Sequence, residues 1–196
     1  PYTSEGALYD LYDFQWENIQ PGTYTLTATA TDNSGGVGTA APVTFTVTGV
    51  ACTATGFITR DYWANVAGDR VSDIPAQSTP TSTSEINVFE GPSNIGTNYA
   101  SRIRGYICPP MTGDYTFWIA SNDHSELWLS TVENDPSGKT RIAYVAGATG
   151  PREWGRFATQ RSAPVTLVQG KRYYIEALHK QGAGTDHIAV GWMLPN

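Results

Sequence analysis

Two strand-like runs meet across only four polar residues in the middle of the chain, and this limits the fold more than any other feature. In DYTFWIA, Tyr115, Phe117 and Ile119 alternate with their neighbours; in SELWLS, Leu127 and Leu129 face one way and Glu126 and Trp128 the other. Alternation of period two is the mark of a half-buried strand. Ser121-Asn122-Asp123-His124 lies between the runs and leaves no room for a helix, so this polar turn is expected at the rim of a sheet. Carboxylate and amide oxygens held at both ends by apolar strands suit a hard cation such as calcium.

A second place of this kind lies in HKQGAGTDHIAVGW, residues 179 to 192, where a strand passes through a Gly-rich loop carrying Gln181 and Asp186 into another alternating strand. Two such rims from distant parts of the chain could share one ion. The same residues are also ordinary turn chemistry, because Asn, Asp and Gly tolerate positive φ and cap their own backbone. No liganding motif such as an EF-hand loop decides between these readings.

Many short alternating runs, bounded by Gly, Pro, Asn and Asp in a chain with only 15% charged residues, argue an all-β protein. At 196 residues, two domains of unequal size fit better than one. A net charge of −6 argues against a nucleic-acid partner. No apolar run of about 18 residues occurs, so no membrane insertion is expected. No basic-then-apolar segment follows Pro1, so an export signal is expected to lie outside this stretch.

Residues 1 to 50 read as a separate module. The run Tyr24 to Thr31 alternates Tyr24, Leu26, Ala28 and Ala30 with threonines, DNSGGVG forms a turn, and Val43, Phe45 and Val47 share one face of a second strand; Tyr12, Phe14 and Trp16 repeat the pattern upstream. WENIQPGTYTLTATATDNSGGVGTAAPVTFTV resembles the C-terminal half of a bacterial immunoglobulin-like repeat of surface proteins and secreted glycanases. A whole sandwich of that kind needs about seven strands and about 100 residues. A neighbouring copy or another segment of the parent chain is therefore expected to complete residues 1–50, whose apolar sheet face would otherwise be bare.

From residue 51 onward the chain forms a second domain, 51–196. Phe57 to Trp63 opens it as a strand, residues 68 to 98 read mostly as loop with a short strand from Ile86 to Phe89, and Ile103 to Cys108 with Asp114 to Ala120 reads as a hairpin around Pro109-Pro110. Arg141 to Val145 is a strand, and residues 147 to 159 are irregular. Cys52 and Cys108 are the only cysteines. An even pair reads as a disulfide in an extracellular setting and as two buried thiols in a cytosolic one. The chain otherwise reads as secreted, so the bond is expected.

The landmarks GFITRDYW (56 to 63), SRIRGYICPPMTGDYTFWIASNDHSELWLS (101 to 130), APVTLVQGKRYYIEALHKQGAG (163 to 184) and DHIAVGWMLP (186 to 195) occur in this order. The stretch from Gly56 to Pro195 resembles the lectin-like domain named after anthrax protective antigen, the PA-fourteen domain. The resemblance implies an antiparallel β-sandwich or barrel. In the sugar-binding members of that family, two adjacent aspartates, often joined by a cis peptide bond, hold a calcium ion whose coordination is completed by vicinal sugar hydroxyls. Those positions are Asn122 and Asp123 here, so an amide replaces the first acid. The family's later loop maps onto Gln181, Gly182 and Asp186 as further ligands. Losing one formal charge should weaken calcium binding.

These readings imply a calcium-dependent carbohydrate-binding module of a secreted or cell-surface bacterial protein. The alternative is a structural or adhesive spacer whose calcium site is degenerate. His124 and His187 directly follow the candidate ligands and are expected beside a bound sugar, able to make binding sensitive to pH near their ordinary pKa of about 6.5. Trp154 offers a face for stacking on a sugar ring or a cover for the core. His124, His179 and His187 lack the short spacing of a zinc site. An enzyme is not expected: Asp123, Glu126 and Asp186 are the carboxylates a glycosidase would need, but no catalytic motif supports that use.

Overall fold

The computed structural model describes residues 22–47, 52 and 56–195, and the chain divides into two units, Pro1–Ala51 and Cys52–Asn196. In the first unit β1 (Gly22–Leu26), β2 (Thr29–Thr31), β3 (Val37–Thr39) and β4 (Val43–Val47) form two two-stranded sheets, β1 with β4 and β2 with β3. The run expected as one strand from Tyr24 to Thr31 is broken at Thr27-Ala28, where pairing passes from β4 to β3. The turn after β2 explains the break. Asp32 Oδ1 accepts from the backbone N–H groups of Ser34 and Gly36, both at 2.8 Å, and Gly35 takes φ 86°, closing a local hairpin. Thr23 and Thr25 face Thr46 and Thr44 across β1–β4 with hydroxyls 3.2 Å apart. Leu26, Val37 and Val43 are exposed. The strand expected from Tyr12 to Trp16 lies outside the described residues.

In the second unit β5 (Ile58–Trp63), β6 (Ser82–Ile86), β7 (Tyr99–Ile107), β8 (Gly113–Asn122), β9 (His124–Glu133), β10 (Lys139–Val145), β11 (Val165–Leu167), β12 (Tyr173–Gln181) and β13 (His187–Met193) form two antiparallel sheets. One has the order β10-β9-β12-β7-β5-β6, the other β11-β8-β13. They face each other as a sandwich and do not close into a barrel. The structure departs from the sequence reading at two places. The short strand lies at Ser82–Ile86 rather than Ile86 to Phe89. The hairpin expected between Ile103–Cys108 and Asp114–Ala120 does not form, because β7 pairs with β12 and β5 whereas β8 pairs with β13 and β11. Pro109 and Pro110 have no N–H to donate, so the ladder stops there and the chain crosses to the other sheet.

The inner faces of the two sheets bury Ile103, Tyr115, Phe117, Ile119, Leu127, Leu129, Ile175 and Ile188. Leu127 and Leu129 are fully enclosed, and each contributes about 1.5–3 kcal/mol from burial alone. The outer face of the six-stranded sheet is different. Register places Asp61, Arg102, Leu178 and Glu126 in one row, and Arg104, Glu176 and Trp128 in the next. Asp61 is 1% exposed and accepts from Arg102 at 2.8 Å and Arg104 at 2.9 Å. Glu176 accepts from Lys139 at 2.7 Å and from the Tyr174 hydroxyl at the same distance. The segment after β5 covers the rim end of this face with Val66, Val71 and Ile74, packed on Trp63 and Leu178. Cys52 and Cys108 are bonded, with Cα atoms 5.5 Å apart.

Candidate functional site

The inner-face positions of β12 end in His179 and Gln181, and β8 ends beside them at Asn122. The chain leaves the three-stranded sheet at Asn122 and enters the six-stranded one at His124, so the turn is a corner between sheets as well as a rim. The Asn122–Asp123 peptide bond is cis. Protein groups hold the corner on every side. The buried His179 ring donates from Nε2 to the Asn122 carbonyl at 2.8 Å, and the Ser121 hydroxyl donates to the Asp123 carbonyl at 2.7 Å. The Asn122 side-chain amide donates to Thr185 Oγ1 at 3.0 Å, and Asp123 Oδ2 accepts from the Gly182 N–H at 3.0 Å. A Cβ at Gly182 would lie 3.3 Å from that carboxylate oxygen, so the loop can approach Asp123 closely only without a side chain.

Asp186 comes to this corner from β13's leading loop and is 1% exposed. A third segment, unforeseen from sequence, cradles it. The N–H groups of Ile95 and Gly96 donate to Asp186 Oδ2 at 2.8 and 3.1 Å, and that of Asn94 donates to its carbonyl at 3.1 Å. Asn94 and Asn98 both adopt left-handed backbone, φ 57° and 50°, which Asn tolerates better than most residues. Asn98 N–H donates to the Gly182 carbonyl at 2.7 Å. Gly182 therefore supports the loop through both backbone groups, and its carbonyl already has one partner.

The electrostatics follow from this packing. Burial pushes the His179 imidazole down to about 4, against the opposing pull of the Asn122 carbonyl, Asp186 and Asp123, so the ring is neutral at neutral pH. Burial raises the Tyr99 phenol well above its usual range, with the Asp186 charge and a hydrogen bond to that carboxylate adding to the effect. Gln181 Oε1 is buried without a hydrogen-bond partner among the described residues, whereas the Asp186 carboxylate has the Tyr99 phenol beside it as well as the two N–H groups on Oδ2. A buried oxygen left without a partner costs free energy unless something else satisfies it. The donors gathered here are all oxygens, as a hard cation requires, and two are carboxylates. No group of three or more His, Cys, Asp or Glu that would hold a metal occurs among the described residues, so an ion here would depend on the amide oxygens.

The remaining expected site residues are arranged less simply. His187 is 5% exposed, and burial lowers its pKa, so it is a wall of the rim rather than an open contact. His124 lies on the outer face of the six-stranded sheet, half-buried, beside Lys180. Trp154 packs on Gly191, 3.6 Å from where a Cβ would stand. Gly191 is four residues along β13 from His187, about 13 Å at the strand rise. The indole lines a separate cavity with Val88, Phe89, Glu90 and Arg152, so the structure does not bring it to the Asn122–Asp123 corner.

Comparison with known proteins agrees with this architecture. Residues 53–196 match the family model of the PA14 domain. Mouse N-acetyl-beta-glucosaminyl-glycoprotein 4-beta-N-acetylgalactosaminyltransferase 1 is 45% identical over 101 residues, 48% of this chain and 10% of that protein. Dog fibrocystin is 30% identical over 110 residues, 52% of this chain and 3% of that protein. The chain thus spans a tenth or less of either relative. Among solved structures, a PA14 sugar-binding domain from an RTX adhesin superposes with a TM-score of 0.53 at 13% identity, covering 71% of this chain and 90% of that one. The Candida glabrata Epithelial Adhesin 9 A domain, solved with Galb1-4GlcNAc, gives 0.51 at 15% identity, covering 76% and 87%. At such identities these two structures bear on the fold alone.

Proposed function

Since the chain belongs to the PA14 domain family through residues 53–196, we propose that its second unit is a calcium-dependent carbohydrate-binding module acting outside the cell or at its surface. The observation that carries this reading is the convergence of Asn122, Asp123 and Asp186 on one corner, with Gln181 Oε1 buried beside them without a partner. Asp123 and Asp186 supply the charge, and Asn122 and Gln181 supply neutral oxygens. Gly182 and Thr185 hold Asp123 and Asn122 in place. Ile95 and Gly96 fix Asp186 through Oδ2. A calcium ion bound there supplies open coordination positions that a pair of vicinal sugar hydroxyls can fill. The neutral, buried His179 contributes position, not charge, by fixing the Asn122 carbonyl.

Family membership supports the ligand class, as do the description of the RTX adhesin domain as sugar-binding and the Galb1-4GlcNAc bound to the Epithelial Adhesin 9 A domain. The disulfide supports an oxidising compartment. For the first unit the reading is the C-terminal half of a bacterial immunoglobulin-like repeat, completed by a neighbouring copy or parent-chain segment; the curated relatives named above are animal proteins.

Titration calorimetry with calcium, followed by a glycan array run with calcium and with chelator, tests the proposal. Calcium uptake and calcium-dependent glycan binding, both abolished in Asp123→Ala, are expected, and Asn122→Asp should tighten calcium by restoring a charge. One observation favours a second reading, a structural or adhesive spacer with a degenerate site: the amide at position 122 spends its N–H on Thr185 and leaves two acids only. No calcium uptake by the wild type, with clear uptake by Asn122→Asp, would establish that second reading.

A further inference from the structure

One residue beyond Asp123 the chain turns to the outer face of the six-stranded sheet, and a cavity of about 270 Å³ opens there. Its walls include Arg70 from the covering segment, His124 and Glu126 from β9, and Arg141 and Tyr144 from β10. The charges in it are unequally satisfied. Both oxygens of Glu126 are engaged, Oε1 in an ion pair with Arg141 at 2.6 Å and Oε2 by a hydrogen bond from the Trp128 indole N–H at 3.1 Å. Arg141 lies over the Tyr144 ring, 4.5 Å from its centre, and uses one nitrogen on Glu126, which leaves the rest of its donor fork unspent. The Arg70 guanidinium makes no ion pair among the described residues, because the nearby Asp73 turns onto the backbone N–H of Arg70 at 3.0 Å. Among the residues that line the cavity, two guanidinium groups stand against one carboxylate, while Asp73 is held behind Arg70 on its backbone and Asp69 precedes it in the chain.

Resting on the carbohydrate-binding reading above, we propose that this cavity is a second subsite of the same rim, and that it selects glycans carrying an anionic substituent on the sugar next to the ion-bound one. Arg70 and the free edge of Arg141 would bind the anion by charge-assisted hydrogen bonds, the geometry in which arginine recognises carboxylate and sulfate groups. The part of the half-buried Tyr144 ring that the Arg141 guanidinium leaves uncovered would receive the sugar body. Carboxylate and sulfate share this chemistry, and the experiment separates them.

The probes are matched immobilised oligosaccharides, each in a neutral form, a form with a sialic or uronic acid, and a sulfated form, offered to the full chain with calcium at low and at physiological salt. The readout is the ratio of acidic to neutral affinity. It should be about tenfold at low salt and fall with added salt, because an exposed charge pair is screened. Arg70→Glu should bring the ratio to one or below, whereas Arg172→Gln, at the far end of the sheet on Tyr106, should leave it unchanged. The acidic form that carries the ratio identifies the anion. A wild-type ratio near one, with the neutral glycan still bound, overturns this inference and leaves the carbohydrate-binding reading intact. A tenfold ratio that survives Arg70→Glu overturns the assignment to this cavity. Binding of no glycan in any form overturns both. Binding that ignores chelator refutes the role of calcium but leaves the ratio as the test of the subsite.

Discussion

Asp61→Asn isolates the interaction that most sharply divides charge from packing in this fold. The carboxylate is 1% exposed and receives Arg102 through Nε and Nη2 at 3.0 and 2.8 Å and Arg104 through Nε at 2.9 Å, all on Oδ2, while Thr83 donates to Oδ1 at 2.9 Å. Asparagine keeps the shape and removes the charge that two guanidinium groups share. Removing one partner of a buried ion pair costs about 3–5 kcal/mol. Arg102 is 18% exposed and Arg104 40%, so both recover part of their hydration, and a loss of about 2–3 kcal/mol is expected here. Urea unfolding followed by tryptophan fluorescence measures it, since all the tryptophans but Trp16 lie beyond residue 52. The midpoint should fall at constant slope. Acid gives a second readout. Burial alone would raise the Asp61 pKa, but the hydrogen bonds from Arg104, Arg102 and Thr83 outweigh it and lower the value in the folded state. A carboxylate depressed by folding stabilises above its unfolded pKa of about 3.9 and loses that contribution as pH falls through the folded value. The wild type should therefore lose this stability below about pH 4, and Asp61→Asn should show a shallower acid limb. A loss under about 0.5 kcal/mol, or acid limbs of equal slope, would refute the assignment.

Gly182→Ala should weaken calcium binding severalfold while moving the thermal midpoint little, because its Cβ, 3.3 Å from Asp123 Oδ2, must displace a proposed ligand rather than core; calorimetry showing unchanged calcium affinity would count against the site. Cys52→Ser with Cys108→Ser opens a loop of sequence separation 56 and should cost roughly 4 kcal/mol on the chain-entropy model, read as a lower urea midpoint that reducing agent reproduces in the wild type.

The strands were legible wherever local alternation decided them. β8 and β9 follow from Tyr115, Phe117, Ile119, Leu127 and Leu129, since each run carries its own face. Partner choice was not legible, because nothing within Ile103–Cys108 or Asp114–Ala120 records that they belong to different sheets; only the missing N–H groups of Pro109 and Pro110 hint at it. The same holds for the Asp61 network, which depends on register between β5 and β7. At the corner, the residues taken from the two polar loops do converge. The segment from Asn94 to Asn98 carries only loop signals in the sequence, since it acts through backbone N–H groups that have no side-chain signature. His179 was visible as a histidine of the second loop region, but its hold on the Asn122 carbonyl needed the fold. Trp154 was open to either reading because an indole suits a sugar face and a sheet equally well.

The bond between Cys52 and Cys108 also decides how the second unit behaves under load. A pull arriving along the chain from the first unit reaches Cys52 and passes through sulfur to Cys108, so the residues between them carry no tension. β5, β6 and β7 lie in this sheltered stretch, as do the Asn94–Asn98 segment beside Asp186 and the whole Asp61 network. At about 3.3–3.6 Å per extended residue, a separation of 56 withholds roughly 190 Å of chain from stretching. Reduction would return that length to the path and expose β5 to peeling first. In a single-molecule pull, the oxidised protein should therefore extend less than its residue count implies, by that amount.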